Sequence, residues 1–516
     1  MRGIETRIQM IRHQVFREVA RMAYQETKPV AEQIEKLPYQ IIPGEVANFR
    51  NDVFLERAIV GERLRLAMGL PCRGAGEQAP LSEGIEAADR PETYYTPPLI
   101  NVIKFACNAC PEKRVMVTDG CMGCLAHPCV EVCPRDAIQI DRTIGRAKID
   151  AAKCVKCGRC GEACSYHAII VQERPCAAAC GMDAIRSDSQ GKADINYDKC
   201  VSCGMCLVNC PFGAIADKSQ IFQVIREIQS GEKVYAAIAP AFVGQFGPKV
   251  TAGKWRAAVK KLGFADVFEV AIGADLCAVQ EAEDFLENVP EKLPFMATSC
   301  CPAWATMAKK TFPDHAQCVS MALTPMTLTA RLIKHKRPGS KVVFIGPCSA
   351  KKLEAMDPSV RSEVDFVLTF EEMAGIFAAR GIDLDTIEDR PGGVNDSSAD
   401  GRGFAVSGGV AKAVMDVIHE KCPDRTIQVT CAEGLKDCRK LMALATKTGK
   451  YNGFLLEGMG CPGGCVAGAG TIQPISKSQS SVKGYAAKAR HQTADRTEYV
   501  EELEHLVDFS APVEES

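Results

Sequence analysis

Cysteine is the residue through which this sequence could do chemistry. There are 27 in 516 residues, and sixteen of them fall between Cys107 and Cys210. A thiolate is a soft metal ligand, and its spacing shows what it can hold. The bacterial iron–sulfur run is C-x2-C-x2-C-x3-C-P: three cysteines bind one 4Fe–4S cubane and the fourth crosses to a second. Cys154, Cys157, Cys160 and Cys164 keep this spacing. So do Cys200, Cys203, Cys206 and Cys210, with Pro211 following. Cys121, Cys124, Cys129 and Cys133 keep it with a longer middle gap, and Pro134 follows. A fourth run is split into Cys107 with Cys110 and Cys176 with Cys180. The tripeptides DAI, HAI, DAI and GAI at 136–138, 167–169, 183–185 and 213–215 recur at one offset, as four copies of a half-unit would.

These spacings describe one two-cluster unit inserted inside another. In the inner unit Cys121, Cys124, Cys129 and Cys164 would share a cubane, and Cys133, Cys154, Cys157 and Cys160 the next. In the outer unit the sets would be Cys180, Cys200, Cys203 and Cys206, and Cys107, Cys110, Cys176 and Cys210. Sixteen thiolates then make four 4Fe–4S sites with none left over. Zinc ribbons also use C-x2-C, but the x2 and x3 continuation with prolines favours iron–sulfur. His127 and His167 are alternative ligands, although every set already has four thiolates.

A segment this rich in ligands, with short strands and many turns, draws much of its folding free energy from what it binds. The elements around it divide the chain into four parts. Residues 1–98 carry helical periodicity over Arg12–Tyr24 and Phe54–Met68, then a Pro-rich linker. Residues 99–217 are the ferredoxin-like α+β region. Residues 218–493 alternate strands with helices, which implies parallel sheets covered on both faces. Expected strands are 234–239, 267–271, 295–298, 342–345, 364–370, 427–431 and 453–456. Expected helices include 370–380, 410–420 and 435–446. Residues 384–404 read as a surface loop, and 494–516 as an acidic tail.

Sites in such α/β folds gather at the carboxyl ends of strands. Three cysteine motifs fall there: Thr298-Ser-Cys-Cys-Pro-Ala-Trp304, Gly346-Pro-Cys-Ser-Ala-Lys-Lys352 and Glu457-Gly-Met-Gly-Cys-Pro-Gly-Gly-Cys465. From the residues alone, four thiolates on three loops could hold a further cubane, with a fifth thiol beside it.

The three motifs resemble, in order, the signatures of the FeFe hydrogenases, over about 218–475 and including the attached ferredoxin region. Their spellings are those of a divergent branch. The resemblance implies an α/β catalytic domain of two lobes that interconverts dihydrogen with protons and electrons at an H-cluster. That cofactor is a 4Fe–4S cubane joined to a two-iron centre bearing carbonyl, cyanide and azadithiolate. It further implies that Cys301, Cys348, Cys461 and Cys465 hold the cubane, Cys465 also bridging. Cys300 would be the free proton-passing thiol, and Lys351 a donor to cyanide. Met459, Pro347 and Ser349 would lie against the cofactor. Glu281, Ser320 and Asp284 would carry protons, Asp284 standing where glutamate is usual. Met326 stands where glutamine is usual and Gly346 where methionine is usual. Implied partners are a ferredoxin-like carrier and the maturation proteins of the two-iron centre. An iron–sulfur assembly or scaffold relative shares the fold, but has no need of Cys300, Lys351 and the full ligand set.

Composition narrows the remaining classes. Net charge is −2, with 47% hydrophobic and 24% charged residues, so nothing points to nucleic acid or an anionic membrane. No apolar run reaches the ~18–20 residues of a span. The first thirty residues have no secretory or twin-arginine pattern, so the reducing cytoplasm is expected and a disulfide framework is not. Cys72, Cys277, Cys318, Cys422, Cys431 and Cys438 are expected as small apolar fillers.

Overall fold

The computed structural model describes residues 4–25, 29–74, 76, 78–89, 97–389 and 396–507. Parts of the expected linker (90–96), surface loop (390–395) and acidic tail (508–516) lie outside the described residues.

Thr6 and Gln9 form a reciprocal cap that starts the helix Arg7–Tyr24. Its apolar face, Val15, Phe16, Val19 and Ala20, is buried. It lies against the helix Phe370–Ala379, so closely that a Cβ on Gly375 would sit 2.5 Å from Phe16. Half-buried Arg12 and buried Glu371 form an ion pair across the same contact at 2.5 Å. Asp52 caps the helix Val53–Ala67. These N-terminal helices share one hydrophobic core with the first sheet of the α/β region, so they are built into it.

The cysteine-rich region is a set of nested antiparallel strand pairs. Ile100–Val102 pairs with Ile215–Asp217 on the outside. Arg114–Val117 pairs with Ile169–Gln172 inside that, and Ile138–Asp141 with Arg146–Ile149 innermost. A separate hairpin joins Ile185–Ser187 to Ala193–Ile195. Nesting is what inserting one unit into another produces. Helices here run only four or five residues.

Two parallel sheets follow. The first is ordered Asp266–Glu269, Val234–Ile238, Lys341–Gly346, Phe366–Thr369. The second is ordered Met296–Ala297, Phe454–Met459, Gln428–Glu433. Three strands of the first are buried along nearly their whole length, the pattern of a sheet covered on both sides, while the edge strand Asp266–Glu269 is buried at alternate positions. Each expected strand is present, with two differences nearby. Val270 and Ala271 begin the helix Val270–Asn288 instead of ending a strand. Residues 397–404 are not surface loop: Ser398 caps the short helix Ala399–Gly403, whose Asp400, Gly401 and Arg402 are buried. The cause is long-range, since Asp275 accepts from Ser398 and Glu269 pairs with Arg402. Ala494, Tyr499, Leu503 and Leu506 are buried in the core of the second lobe. No described helix is long and apolar enough to cross a membrane.

The second sheet is locked by Trp304, fully buried, whose Nε1 donates to Thr298 O at 3.0 Å. A Cβ on Gly458 would lie 2.1 Å from its ring. Gly458→Ala is therefore expected to cost about 1–3 kcal/mol by overpacking. A denaturant titration of the variant should show the midpoint falling at unchanged slope.

Candidate metal–sulfur centres

The half-unit repeat has a backbone signature. In the first C-x2-C of each run the residue before the second cysteine is left-handed: Ala109, Gly123, Lys156 and Ser202, with φ of 47°, 57°, 58° and 52°. So is the residue before each Ala-Ile pair: Asp136, His167, Asp183 and Gly213, at 48°, 51°, 51° and 59°. Non-glycine residues take this region rarely, so six of them at equivalent places mark one repeated loop. The loop turns backbone N–H groups onto sulfur. Ala137 donates to Cys133 at 3.2 Å, Ala184 to Cys180 at 3.4 Å and Ala214 to Cys210 at 3.3 Å.

Three cavities lie among these loops. One is lined by Cys121, Cys124, Cys129 and Cys164, the next by Cys133, Cys154, Cys157 and Cys160, the third by Cys107, Cys110, Cys176 and Cys210. Around Cys206, burial first and then Cys203, Cys200 and Cys180 push the thiol well above its ordinary range, so this fourth set is also gathered. All 27 cysteines are free. Among the described residues no three His, Cys, Asp or Glu side chains converge as ligands of one metal ion. The sulfurs frame spaces instead, as they must when each binds a different iron of a cubane.

The larger cavity opens where the two sheets face each other at their carboxyl ends. Cys300 and Cys301 follow Met296–Ala297, Cys348 follows Lys341–Gly346, and Cys461 and Cys465 follow Phe454–Met459. All five line it, with Pro347, Lys351, Met326, Phe344 and Met459. Its unfilled space, counted with the part open to solvent, is about 760 Å³, about twice the 400, 350 and 300 Å³ of the three four-cysteine cavities counted in the same way. That leaves room for a cubane and a further group of similar size. Local sequence builds the walls. Cys301 precedes Pro302 at the first turn of the helix Pro302–Thr311. Gly464, at φ 89°, passes so close to the 405–407 backbone that a Cβ would meet Ser407 N at 2.6 Å. At Gly346 a side chain would strike the Phe344 ring at 2.5 Å, so Phe344 takes the room a larger residue would need.

Burial pushes the Cys348 thiol up to about 11, and Cys461 and Cys465 well above their ordinary range. Bare thiolates are thus disfavoured here, and bound iron is what would hold them ionised. Burial also raises Cys300, with Glu281 and Cys277 adding to it, so this thiol keeps its proton. Lys351 Nζ donates to Glu354 at 2.6 Å and Thr324 at 3.0 Å. Burial works against its charge, but Glu354 first, with Cys348 and Cys300 adding to it, more than offsets this.

Ser349 was expected at the cofactor, but it faces the other way. It shares a helix face with Lys352, three residues on, and Lys352 sits between Asp217 at 3.0 Å and Glu372 at 2.8 Å. Ser349 Oγ accordingly donates to Asp217 at 3.3 Å and abuts Gly204 in the Cys203–Cys206 loop. Of the expected proton carriers, Asp284 and Ser320 meet at 3.3 Å. Glu281 lies one turn inward on the same helix and is fully buried. Its Oε1 accepts from Ser299 N at 2.6 Å and Ser299 Oγ at 2.9 Å, not from Ser320. Burial raises its carboxyl to about 7 and also raises Asp284.

Sequence reasoning missed Ser299, Thr324 and Glu354. Only Glu354 left a signal, an acid three residues beyond Lys351. Cys277, Cys318 and Cys438 are buried as expected of fillers, and Cys72 and Cys422 are half-buried, but Cys431 is exposed.

Comparison with known proteins agrees with this geometry. Residues 232–469 match the profile described as iron only hydrogenase large subunit, C-terminal domain. Residues 170–221 match the LdpA Fe-S cluster-binding domain, and 120–168 a 4Fe-4S dicluster domain. Residues 232–469 are therefore similar to an iron-only hydrogenase large-subunit domain and lie behind segments similar to iron–sulfur cluster-binding modules. The similarity to individual relatives is distant. The chain is 28% identical over 396 residues to iron hydrogenase 1 of Clostridium pasteurianum, covering 65% of this chain and 67% of that one. It is 28% identical over 316 residues to the NADP-reducing hydrogenase subunit HndD of Solidesulfovibrio fructosivorans, covering 50% and 53%. The chain thus spans about half of that relative. It is also 26% identical over 293 residues to cytosolic iron-sulfur assembly component 3 of Bos taurus, covering 46% and 60%. A solved structure of [FeFe]-hydrogenase HydA1 from Chlamydomonas reinhardtii aligns with TM-score 0.47 at 23% identity, over 56% of this chain and 94% of that one.

Proposed function

We propose that this chain is an FeFe hydrogenase, interconverting dihydrogen with two protons and two electrons. One observation carries the proposal: five cysteines from three strand ends line a single cavity large enough for a cubane and a second group. Cys301, Cys348, Cys461 and Cys465 would hold the H-cluster. When bound, it supplies the redox chemistry on dihydrogen.

The rest falls to the chain's own residues. Cys300, the thiol left over, holds a proton at Sγ facing the cavity and exchanges it with the reacting centre. Glu281 lies behind it with a carboxyl poised near neutrality, Ser299 fixing one oxygen in place. Asp284 and Ser320, paired at 3.3 Å, form the outer segment of the route, and an ordered water suits the gap to Glu281. Lys351, kept charged by Glu354, offers a fixed cation with donors to an anionic ligand. Apolar walls from Pro240, Met326, Phe344 and Met459 exclude water. Electrons pass through the four-thiolate sites. The set at Cys203 adjoins the cavity through the Gly204–Ser349 contact, and a ferredoxin-like carrier serves the outer end. Maturation proteins would insert the two-iron centre, in a cytoplasmic setting.

Similarity to an assembly component favours a second reading, an iron–sulfur scaffold. That role leaves Cys300 and the Lys351–Glu354 pair without a task. Infrared spectroscopy of the matured protein separates the two. Carbonyl and cyanide bands together with hydrogen-dependent dye reduction are expected. Matured protein showing neither would sink the hydrogenase reading and leave the scaffold.

A further inference from the structure

Nothing so far gives the N-terminal helices a task, and three arginines around one four-cysteine site supply one. Arg63, on the helix Val53–Ala67, is 6% exposed, and Arg174 is 3% exposed. Arg63 donates to Gly213 O. Arg174 donates to Cys110 O at 2.8 Å, Ser187 Oγ at 2.9 Å and Gly191 O at 2.6 Å, and reaches Cys107 Sγ at 3.9 Å. Arg50, half-buried, donates to Ala106 O at 2.9 Å and Phe212 O at 3.0 Å. Glu56 holds its loop by accepting backbone N–H bonds from Asn48, Phe49 and Arg50. All these acceptors border Cys107, Cys110 and Cys210, or belong to the hairpin beside them.

The bonds go to carbonyls, a hydroxyl and a sulfur. Among the described residues no carboxylate pairs with any of the three. Burial lowers Arg63 to about 10, with Arg12 and Arg50 adding to it and Cys210 opposing, so it stays charged at neutral pH. A buried cation without a counter-charge is costly enough that proteins avoid it. The missing anion has a place: the cavity lined by Cys107, Cys110, Cys176 and Cys210, with Arg174 in its wall. Four thiolates around an oxidised 4Fe–4S core leave a net negative charge, and reduction adds one more.

We propose that Arg50 and Arg63, delivered by the N-terminal helical segment, together with Arg174, are the counter-charge of the cluster at Cys107, Cys110, Cys176 and Cys210, and make it the most easily reduced cluster of the relay. One electron enters, no bond forms or breaks, and the buried guanidiniums favour the more negative state. The other sites lack this. Around Cys133, Cys154, Cys157 and Cys160 the cations Arg135, Lys153, Lys156 and Arg159 are exposed and water-screened. Beside Cys121, Arg146 is paired with Asp119. At the Cys200 set Lys199 is exposed, Arg439 is paired with Asp183, and Lys310 donates to Asp198 O in an exposed bond.

The proposal rests on the relay reading but not on hydrogen turnover. Its test is an anaerobic redox titration of the cluster-loaded full chain followed by electron paramagnetic resonance, with Cys176→Ser identifying the signal. In the parent that signal should have the highest midpoint. In Arg63→Met and Arg174→Met its reduced-to-oxidised ratio at fixed poise should fall at least tenfold, a shift of about 59 mV for one electron. The other clusters should stay put, and Arg63→Lys should track the parent. Loss of four irons from the Met variants, with retention in Arg63→Lys, would support the same pairing. Unchanged midpoints at full iron content, equal effects of Lys and Met, or movement of all clusters together would overturn it. Absent carbonyl and cyanide bands would sink the hydrogenase reading alone, because this titration reads the relay.

Discussion

Cys300→Ala is expected to lower hydrogen turnover by about 10²–10⁴-fold, the range general acid–base groups contribute, while iron content and the carbonyl and cyanide bands persist. Of the five cysteines on the cavity wall, this is the one the hydrogenase resemblance leaves without iron. Burial and the neighbouring Glu281 keep its thiol protonated, and with no iron assigned to hold it as a thiolate it is free to carry that proton. Alanine keeps the apolar lining but removes the only titratable atom at that point. Cys300→Asp, which restores a proton-bearing group at similar reach, should recover part of the rate. The measurement is dye-coupled turnover alongside iron analysis and infrared spectra. If Cys300→Ala kept parental turnover, the proton route would not pass this residue. If it lost irons, Cys300 would be a ligand.

Glu281→Gln should lose turnover by a similar factor at pH 7 and yet gain stability in alkali. The carboxyl has an ordinary value of 4.5 when unfolded and about 7 when folded, because burial disfavours its charge. Below 4.5 both states carry the proton and the residue costs nothing. As pH rises from 4.5 to 7 the unfolded chain releases its proton first, so stability falls. Above 7 the loss is complete, about 3 kcal/mol at 1.36 kcal/mol per pKa unit. Glutamine has no charge to bury, and its Oε1 can still accept from Ser299. The variant should therefore match the parent near pH 4 and exceed it near pH 8 in denaturant titrations. Equal stability at both pH values would mean Glu281 does not titrate as its burial implies. Stabilisation with full activity would remove it from the proton route.

How much of this was legible beforehand depends on the range of each interaction. Three of the half-units were readable because each is a local loop, its cysteines, left-handed residues and Ala-Ile pair lying within 121–138, 154–169 or 200–215, so that spacing alone encodes them. The split fourth was readable only by analogy with these. Buried parallel strands were readable for a related reason: short, β-branched apolar runs such as Val342–Ile345 fit a sheet covered on both sides. Val270 and Ala271 misled because an apolar run that is buried either way does not distinguish strand from helix. The stretch 397–404 looked like loop from its Gly, Ser and Asp content. Its helix is stabilised by Asp275 and Glu269, more than a hundred positions away.

The sequence by itself determined the cysteine spacings, the nested order of the cysteine units, and the three strand ends where five further cysteines gather. Only the tertiary structure decided that Glu281 meets Ser299, that Ser349 turns from the cavity towards Asp217, and that Arg50 and Arg63 reach the loop at Cys210. Ligand spacing is set by a few bonds of backbone, so it is written locally. The direction of a buried polar side chain is set by whichever distant group can satisfy it once water is excluded, and that partner exists only in the folded chain.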